Sequence, residues 1–326
     1  MNSPQSPPDV ERISSLLSYA ILAPSSHNTQ PWRFVIADNT VSLYADRSRA
    51  LPANDPCDRE LTISCGCALM NLRVAAAHAG LEAHCEVTPD DSDEDLLALV
   101  SFTPADASSL PGVELFPSIE DRRTCRKRFD ADDVPAPVLH ALAAAAAEEA
   151  CWLEVIESEQ NRQACVALVA QGDSMQWSNP GWRSELAAWM HPGRECDGLT
   201  VPGIVAPIAQ AVVRTFDMGD GVAAKDRQLA DASPVLAVLG SAGDTVADWL
   251  AAGQALQKIL LTAHSRGLQA SYLNQPIQIE SLRPELHKLV KQDGFAQILL
   301  RLGFTDDEIE ATPRRPLDEV VEEVIH

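Results

Sequence analysis

Cysteine is sparse in this chain, 8 in 326 residues, and 25 Lys and Arg are outnumbered by 47 Asp and Glu. The first scarcity excludes a disulfide-stapled scaffold. The second leaves a formal net charge of −22, which excludes a general nucleic-acid partner and an anionic membrane surface, because the chain repels both polyanions. No run approaches the roughly 18 uninterrupted apolar residues of a membrane span. The first 17 residues begin polar and proline-rich, without the cationic start and apolar run of a secretory leader. Together these absences predict a reduced, cytoplasmic protein. What is present is ordinary globular composition, 46% hydrophobic and 22% charged, in a chain long enough for two domains or one large one.

The few basic residues are unevenly spread. Arg122, Arg123, Arg126, Lys127 and Arg128 fall within seven residues, and Arg314 and Arg315 follow Pro313 near the end. Positive charge so concentrated in an acidic protein points to a discrete anion site. On charge alone, an exposed basic turn paired with surface carboxylates explains it equally well.

Apolar periodicity predicts a helix from an Asp9 N-cap through Ile21, stopped by Pro24. The stretch 23–31 reads as a loop, and Trp32–Ala37 and 41–45 as a hairpin around Asp38-Asn39-Thr40. A helix at 60–79 ends at Gly80, followed by strands at 81–87 and 96–102 and a linker-like stretch at 103–113. Further on, 135–149 and 161–169 read as helices, 152–156 and 235–240 as strands, 247–265 as a helix, and 268–273 and 296–302 as strands. The stretch 171–233 resists assignment and holds Trp177, Trp182 and Trp189.

An internal repeat links the halves. At an offset of 187, Gly66, Ala68, Leu69, Ala76, Gly80, Leu81 and Ala83 align with Gly253, Ala255, Leu256, Ala263, Gly267, Leu268 and Ala270. At another offset, Trp32-Arg-Phe-Val-Ile aligns with Trp152-Leu-Glu-Val-Ile, each behind an alanine-rich helix. Duplication with an insertion inside 171–233 explains both matches; chance similarity of two alanine-rich helices is the alternative.

These segments carry a resemblance. The run Ala23-Pro24-Ser25-Ser26-x-Asn28-x-Gln30-Pro31-Trp32 resembles the AP-S-x-x-N-x-QPW segment of the FMN-dependent nitroreductase family. Arg122-Arg123-Thr124-Cys125-Arg126 resembles its R-R-S-x-R phosphate segment, and Gly267-Leu268-Gln269-Ala270-Ser271 its Gly-Leu-Gly strand entry. The terminal Thr312-Pro313-Arg314-Arg315-Pro316 run and the length are most similar to the Acg-like branch of fused tandem members.

The resemblance implies an α+β fold in which residues 1–113 and 114–326 are two nitroreductase-like halves of a fused pseudo-dimer, with a possible lid insert at 171–233. It implies FMN as cofactor and hydride transfer from NAD(P)H through flavin N5 to a nitroaromatic, quinone or similar small acceptor. Arg122, Arg123, Thr124 and Arg126 would surround the phosphate, with Arg314 or Arg315 closing the far side. Pro24, Ser25, Ser26 and Asn28 would meet the pyrimidine edge and ribityl chain. Gln30 reaches the flavin or makes a structural bond within the loop. Tyr272, Leu273, Asn274 and Gln275 would lie near N5. No catalytic acid, base or nucleophile and no metal is demanded of the protein. The first half has the loop but begins too late for an arginine segment. The second has the arginines but only a shortened loop at 147–151. The parts make one complete site, hence one FMN per chain in a functional monomer. A lid that stays shut would instead make a non-catalytic FMN-sequestering protein.

Other candidates are weaker. Cys65-x-Cys67 puts its thiols about 200° apart on a helix, and His78 and His84 lack zinc spacing. The acidic turn at 91–95 lacks that of a calcium loop. His27, inside the loop, is the one histidine to test, with a loop hydrogen bond as the bland role. Trp182, Leu186 and Trp189 share a helical face, which fits core or lid.

Overall fold

The computed structural model describes residues 10–88, 90, 92–190, 195–199, 206–215 and 217–324. The expected N-cap Asp9 and, in the acidic turn, Asp91 lie outside the described residues. Helix α1, Val10–Ala20, buries Ile13, Leu16, Leu17 and Ala20 at helical spacing. A loop leads to β1, Trp32–Ala37, and β2, Thr40–Ala45, whose pairing turns at Asp38 with φ 52°. Helix α2, Arg59–His78, is closed by Gly80 in the left-handed region at φ 71°, where glycine carries no Cβ penalty. Strands β3, Leu81–Val87, and β4, Leu96–Pro104, complete the first half.

The second half begins with the single turn α3, Ser118–Asp121, then α4, Ala136–Ala147, and β5, Cys151–Val155. Four helices intervene: α5, Glu159–Ser178; α6, Pro180–Ala188; α7, Ala206–Thr215; and α8, Gly219–Asp231. Then come β6, Val235–Ser241; α9, Val246–His264; and β7, Gln269–Tyr272. Two short helices, α10, Gln275–Gln278, and α11, Arg283–His287, precede β8, Phe295–Gly303, and β9, Val321–Glu323.

The sheets repeat one plan. The first runs β3-β4-β2-β1-β9 and the second β5-β6-β8-β7. Leaving β9 aside, each half orders its strands first, second, fourth, third, with every pairing antiparallel and the long central helix between the second and third strands. The fold is α+β, nitroreductase-like, with two tandem halves forming a fused pseudo-dimer.

The halves meet where α2 crosses α9, and the crossing is made by the aligned pair Gly66 and Gly253. A β-carbon on Gly253 would lie 2.1 Å from the Ile63 carbonyl oxygen, and one on Gly66 2.3 Å from the Leu250 oxygen. Only hydrogen fits between these backbones. The Cys67 thiol donates to the Gly253 carbonyl at 3.2 Å, and Gln257 Nε2 to Asn71 Oδ1 at 2.6 Å. Because each helix is wrapped by the other and by its own sheet, both are buried nearly all round.

The chain end crosses back to the first half. Val321 pairs in parallel with Phe34, adding β9 to the edge of β1. In place of the short turn joining β1 to β2, residues 156–234 carry α5 to α8 between β5 and β6. The helix expected at 161–169 runs on to Ser178, straight through Gly172. That glycine serves as a contact: a Cβ there would lie 2.8 Å from Gln275 Cβ.

Candidate active site at the seam of the two halves

A cavity of about 520 Å³ opens between the halves. The first half supplies the loop after α1 together with Asn54, Glu60, Ile63, Ser64 and Cys67; the second supplies the arginine segment, Leu256, the residues after β7 and the chain-end run. Thirteen of the expected residues line it: Pro24, Ser25, Ser26, Asn28, Arg122, Arg123, Thr124, Arg126, Tyr272, Leu273, Asn274, Gln275 and Arg314.

The arginine segment is fixed as an extra strand along β7. Thr124 bridges Ala270 in parallel, and Cys125 N–H donates to the Ala270 carbonyl at 2.9 Å. Arg301 of β8 holds the Cys125 carbonyl at 2.7 Å. This anchoring turns Arg122 inward, 5% exposed, with Nε and Nη1 lacking any partner among the described residues. Burial lowers its pKa, yet an arginine stays cationic. A buried cation with unmet donors is a demand for an anion. Arg126, Lys127 and Arg128 are exposed, with Lys127 3.5 Å from Asp307. Burial raises the pKa of the Tyr272 phenol, which therefore stays neutral beside Thr124.

The loop after α1 is built differently from the expectation. His27, Asn28 and Gln30 all sit at positive φ, 49°, 54° and 51°. Such positions cost free energy in non-glycine residues and persist only where surrounding bonds impose them. Here those bonds use up the polar side chains. Ser25 Oγ accepts from Gln30 N–H at 2.9 Å, Ser26 Oγ donates to Glu60 Oε2 at 2.7 Å, and Asn28 Nδ2 donates to the Pro313 carbonyl at 3.1 Å. The loop therefore presents mainly backbone and Cβ atoms to the cavity. His27 lines it as a neutral ring: burial first, and Arg126 second, lower its pKa to about 4.

Two expected residues lie outside the wall. Gln30 is fully buried behind the loop, accepting from Arg315 N–H at 2.8 Å and donating to the Cys196 carbonyl at 2.9 Å. Arg315 turns the same way, 3.7 Å from Asp46 and 3.5 Å from Glu319. Both clip the chain end to the loop, and these are the structural bonds that Gln30 makes here. Arg314 lines the cavity but caps α1, donating to the Ile21, Leu22 and Ala23 carbonyls at 2.9–3.1 Å. Burial, then Arg122 and Arg123, lower its pKa to about 10.

Sequence reasoning missed Glu60, the hub of the seam. Its carboxylate accepts from Ser26, from Gln278 Nε2 at 3.0 Å and from Asn274 Nδ2 at 3.4 Å, tying α2 of one half to the loop and to α10 of the other. No spacing announces such a convergence. It also missed Arg301, whose signal was legible: a lone charge inside a largely apolar strand.

The insert forms one side of the cavity. Trp177, Trp182 and Leu186 line it, the two indoles 5.5 Å apart and edge-on. Trp189 instead faces Arg49, at 5.5 Å. Latches to the first half hold the insert in place: Glu185 accepts from Ala53 and Asn54 N–H at 2.8 and 3.0 Å, Trp182 donates to Asn54 Oδ1 at 2.9 Å, Arg49 pairs with Asp197, and Gly198 N–H donates to the Asn28 carbonyl at 3.2 Å.

The opposite seam is filled. Gln254, which aligns with the cavity-lining Cys67, accepts from Arg73 Nη1 at 2.8 Å. Glu149, in the shortened loop after α4, bonds Arg73 at 2.6 Å and Lys258 at 2.9 Å. Cys65 and Cys67 are buried and engaged by the Pro31 and Gly253 carbonyls. No cluster of three or more metal-binding side chains occurs among the described residues, nor a helix long and apolar enough to cross a membrane.

The model of the nitroreductase family matches residues 3–56 and 119–304. A Mycobacterium tuberculosis H37Rv protein provisionally named NAD(P)H nitroreductase Rv3131 is 32% identical over 97% of this chain and 92% of its own. Its relative provisionally named NAD(P)H nitroreductase acg is 32% identical over 94% of each chain. Among solved structures, the FMN-dependent nitroreductase NfnB from Mycobacterium smegmatis in complex with NADPH aligns at 17% identity and a TM-score of 0.42, covering 64% of this chain and 98% of that one. With the family model matched over most of the chain and relatives matched end to end, the chain belongs to the nitroreductase family, beside Acg-like relatives.

Proposed function

We propose that this chain is an FMN-dependent NAD(P)H oxidoreductase that reduces a nitroaromatic, quinone or similar small acceptor, with one FMN held at the seam by a single polypeptide. The observation that carries the reading is Arg122, a buried guanidinium with two nitrogens unpartnered among the described residues, on a cavity wall shared with Arg123 and Arg126. A phosphate monoester supplies the charge and the acceptor oxygens that those donors lack. The cavity volume lies within the range of small-molecule sites, and Ile63, Leu256, Leu273 and Ile298 give it apolar walls against which a flat ring packs. Both halves contribute, so neither forms the site alone. The ion pairs of Arg73, Lys258 and Glu149 occupy the opposite seam and argue against a second flavin.

FMN, when bound, would supply the hydride and electron-transfer chemistry. The protein's part is to bind, orient and enclose. The arginine segment grips the phosphate, Glu60 holds Ser26, Asn274 and Gln278 in one register, and the indoles of Trp177 and Trp182 keep water off the cavity. Replacing Arg122 and Arg126 with Ala tests this reading. Each charge-assisted contact contributes about 1.5–3 kcal/mol, so the double variant should release FMN by at least 100-fold weaker binding while its circular dichroism stays native. Undiminished flavin affinity would refute the assignment.

The latched insert favours a second reading, a non-catalytic FMN-sequestering protein with its cover shut. Anaerobic NADPH separates the two. Prompt bleaching of the flavin absorbance supports the oxidoreductase, whereas a flavin bleached only by dithionite supports sequestration.

A further inference from the structure

The same cavity carries a second polar wall of opposite sign, which the flavin reading leaves without a task. Asp173 on α5 and Asp226 on α8 both line it. The Gln275 side chain, opening α10, bridges them: Nε2 donates to Asp173 Oδ1 at 3.1 Å and to Asp226 Oδ2 at 2.7 Å. Asp173 is 3% exposed, and its Oδ2 has no partner among the described residues. The absence of a side chain at Gly172 lets α5 approach Gln275, so the contact is built into the packing. The charged groups acting on Asp226 are Lys225 of α8 and Arg301 of β8, while Asp226 itself acts on Asp173 and α10 offers only the neutral amide.

Two buried carboxylates that meet at one amide repel each other when both are charged, which favours a single proton on the pair, while the Gln275 amide, donating to both, opposes it. Burial first, and the neighbouring Asp226 second, push Asp173 up to about 7, and burial also raises Asp226.

We propose that Asp173 is the proton donor to the acceptor during its reduction, with Asp226 and Gln275 as positioning residues; this rests on the oxidoreductase reading above. The chemistry consumes one proton, and Asp173 is the wall residue placed to deliver it. A quinone that accepts the two electrons and one hydrogen of the hydride from NAD(P)H still lacks one proton: quinone, NAD(P)H and H⁺ give hydroquinone and NAD(P)⁺. An O–H bond forms at the quinone oxygen as the Asp173 O–H bond breaks, and water reprotonates the carboxylate.

Two measurements on the flavin-loaded protein test this. In the infrared, a protonated-carboxyl C=O band should titrate near pH 7 in the natural protein, vanish in Asp173→Asn, and titrate at lower pH in Asp226→Asn, where the neighbouring charge is gone. In stopped flow, Asp173→Asn should slow reoxidation by a quinone about 100-fold more than it slows reduction by NADPH, the scale of a lost general acid, and should abolish the fall in reoxidation rate above pH 7. A band that persists in Asp173→Asn, or reoxidation that keeps its rate or its pH profile, overturns the proposal alone. A natural protein whose flavin NADPH cannot reduce overturns the oxidoreductase reading and this proposal with it. Should Asp173→Asn fail to fold, Asp226→Asn still decides: an unmoved band contradicts the shared proton.

Discussion

Placing a methyl group at Gly253 tests whether the α2–α9 crossing sets the site. The added carbon would lie 2.1 Å from the Ile63 carbonyl oxygen and 2.8 Å from Gly66 Cα, more than 1 Å inside ordinary contact for the first. Both neighbours are backbone, so no side chain can swing away and the helices must part. Overpacking of this kind costs about 1–3 kcal/mol, with the upper end expected against backbone. Alanine's helix propensity returns about 1 kcal/mol, leaving Gly253→Ala about 2 kcal/mol less stable. For a chain of this size that corresponds to a fall in Tm of roughly 4 °C. Because Glu60, Ile63, Ser64 and Cys67 of α2 face Leu256 of α9 across the cavity, parting the helices should weaken flavin binding too. Scanning calorimetry with flavin titration reads both effects. Gly221→Ala is the control, since a Cβ there meets nothing within 4 Å, and it should raise Tm slightly by restricting the unfolded chain. The double variant Gly66→Ala/Gly253→Ala should cost less than the sum of the singles, because the first methyl has already opened the crossing. A Gly253→Ala protein as stable as the Gly221→Ala control would refute the reasoning.

Three further outcomes follow from the site. Gln30→Ala leaves the Arg315 amide and the Cys196 carbonyl unpaired, so chemical denaturation should show a loss of about 1–3 kcal/mol, while the folded variant keeps its flavin affinity. For His27 the folded pKa of about 4 lies below the ordinary 6.5, so protonation favours the unfolded chain. Its contribution is intact above pH 6.5 and is lost as pH falls toward 4, approaching about 3 kcal/mol. His27→Gln should flatten that part of the stability-versus-pH curve, and an unchanged difference from pH 7 to 4 contradicts a buried neutral ring. Glu185→Gln weakens the two bonds latching the insert to Ala53 and Asn54, and should speed flavin release several-fold in a dilution assay, in line with roughly 1 kcal/mol per bond.

Much of this was legible in the sequence for physical reasons that can be named. Periodicity and punctuation located the central helices, because Gly80 and Gly267 end them in left-handed turns at φ 71° and 78°. The aligned pair Gly66 and Gly253 marked the repeat, since only glycine fits where two backbones touch. The arginine segment stood out because cations are scarce in this chain. What stayed hidden depends on tertiary placement. The stretch from 171 resists assignment in sequence, and the fold explains Gly172 there by the close approach of Gln275. Arg314 and Arg315 differ in role though adjacent, since one meets the Ile21, Leu22 and Ala23 carbonyls in the turn after α1 and the other turns behind the loop. The loop's serines and asparagine look free to meet a ligand, yet Ser25 bonds within the loop, Ser26 to Glu60 and Asn28 to the crossing tail. Asp173 and Asp226 are 53 positions apart, and only the packing of α5 on α8 brings them to one amide.

The central claim is one flavin, bound at one seam, in one chain. Native mass spectrometry of the purified protein, with the flavin quantified after release, measures it directly. The account predicts a monomer carrying a single FMN, and no FMN once Arg122 and Arg126 are replaced by Ala. Two flavins per chain, one flavin shared between two chains, or a double variant that retains its flavin would contradict it.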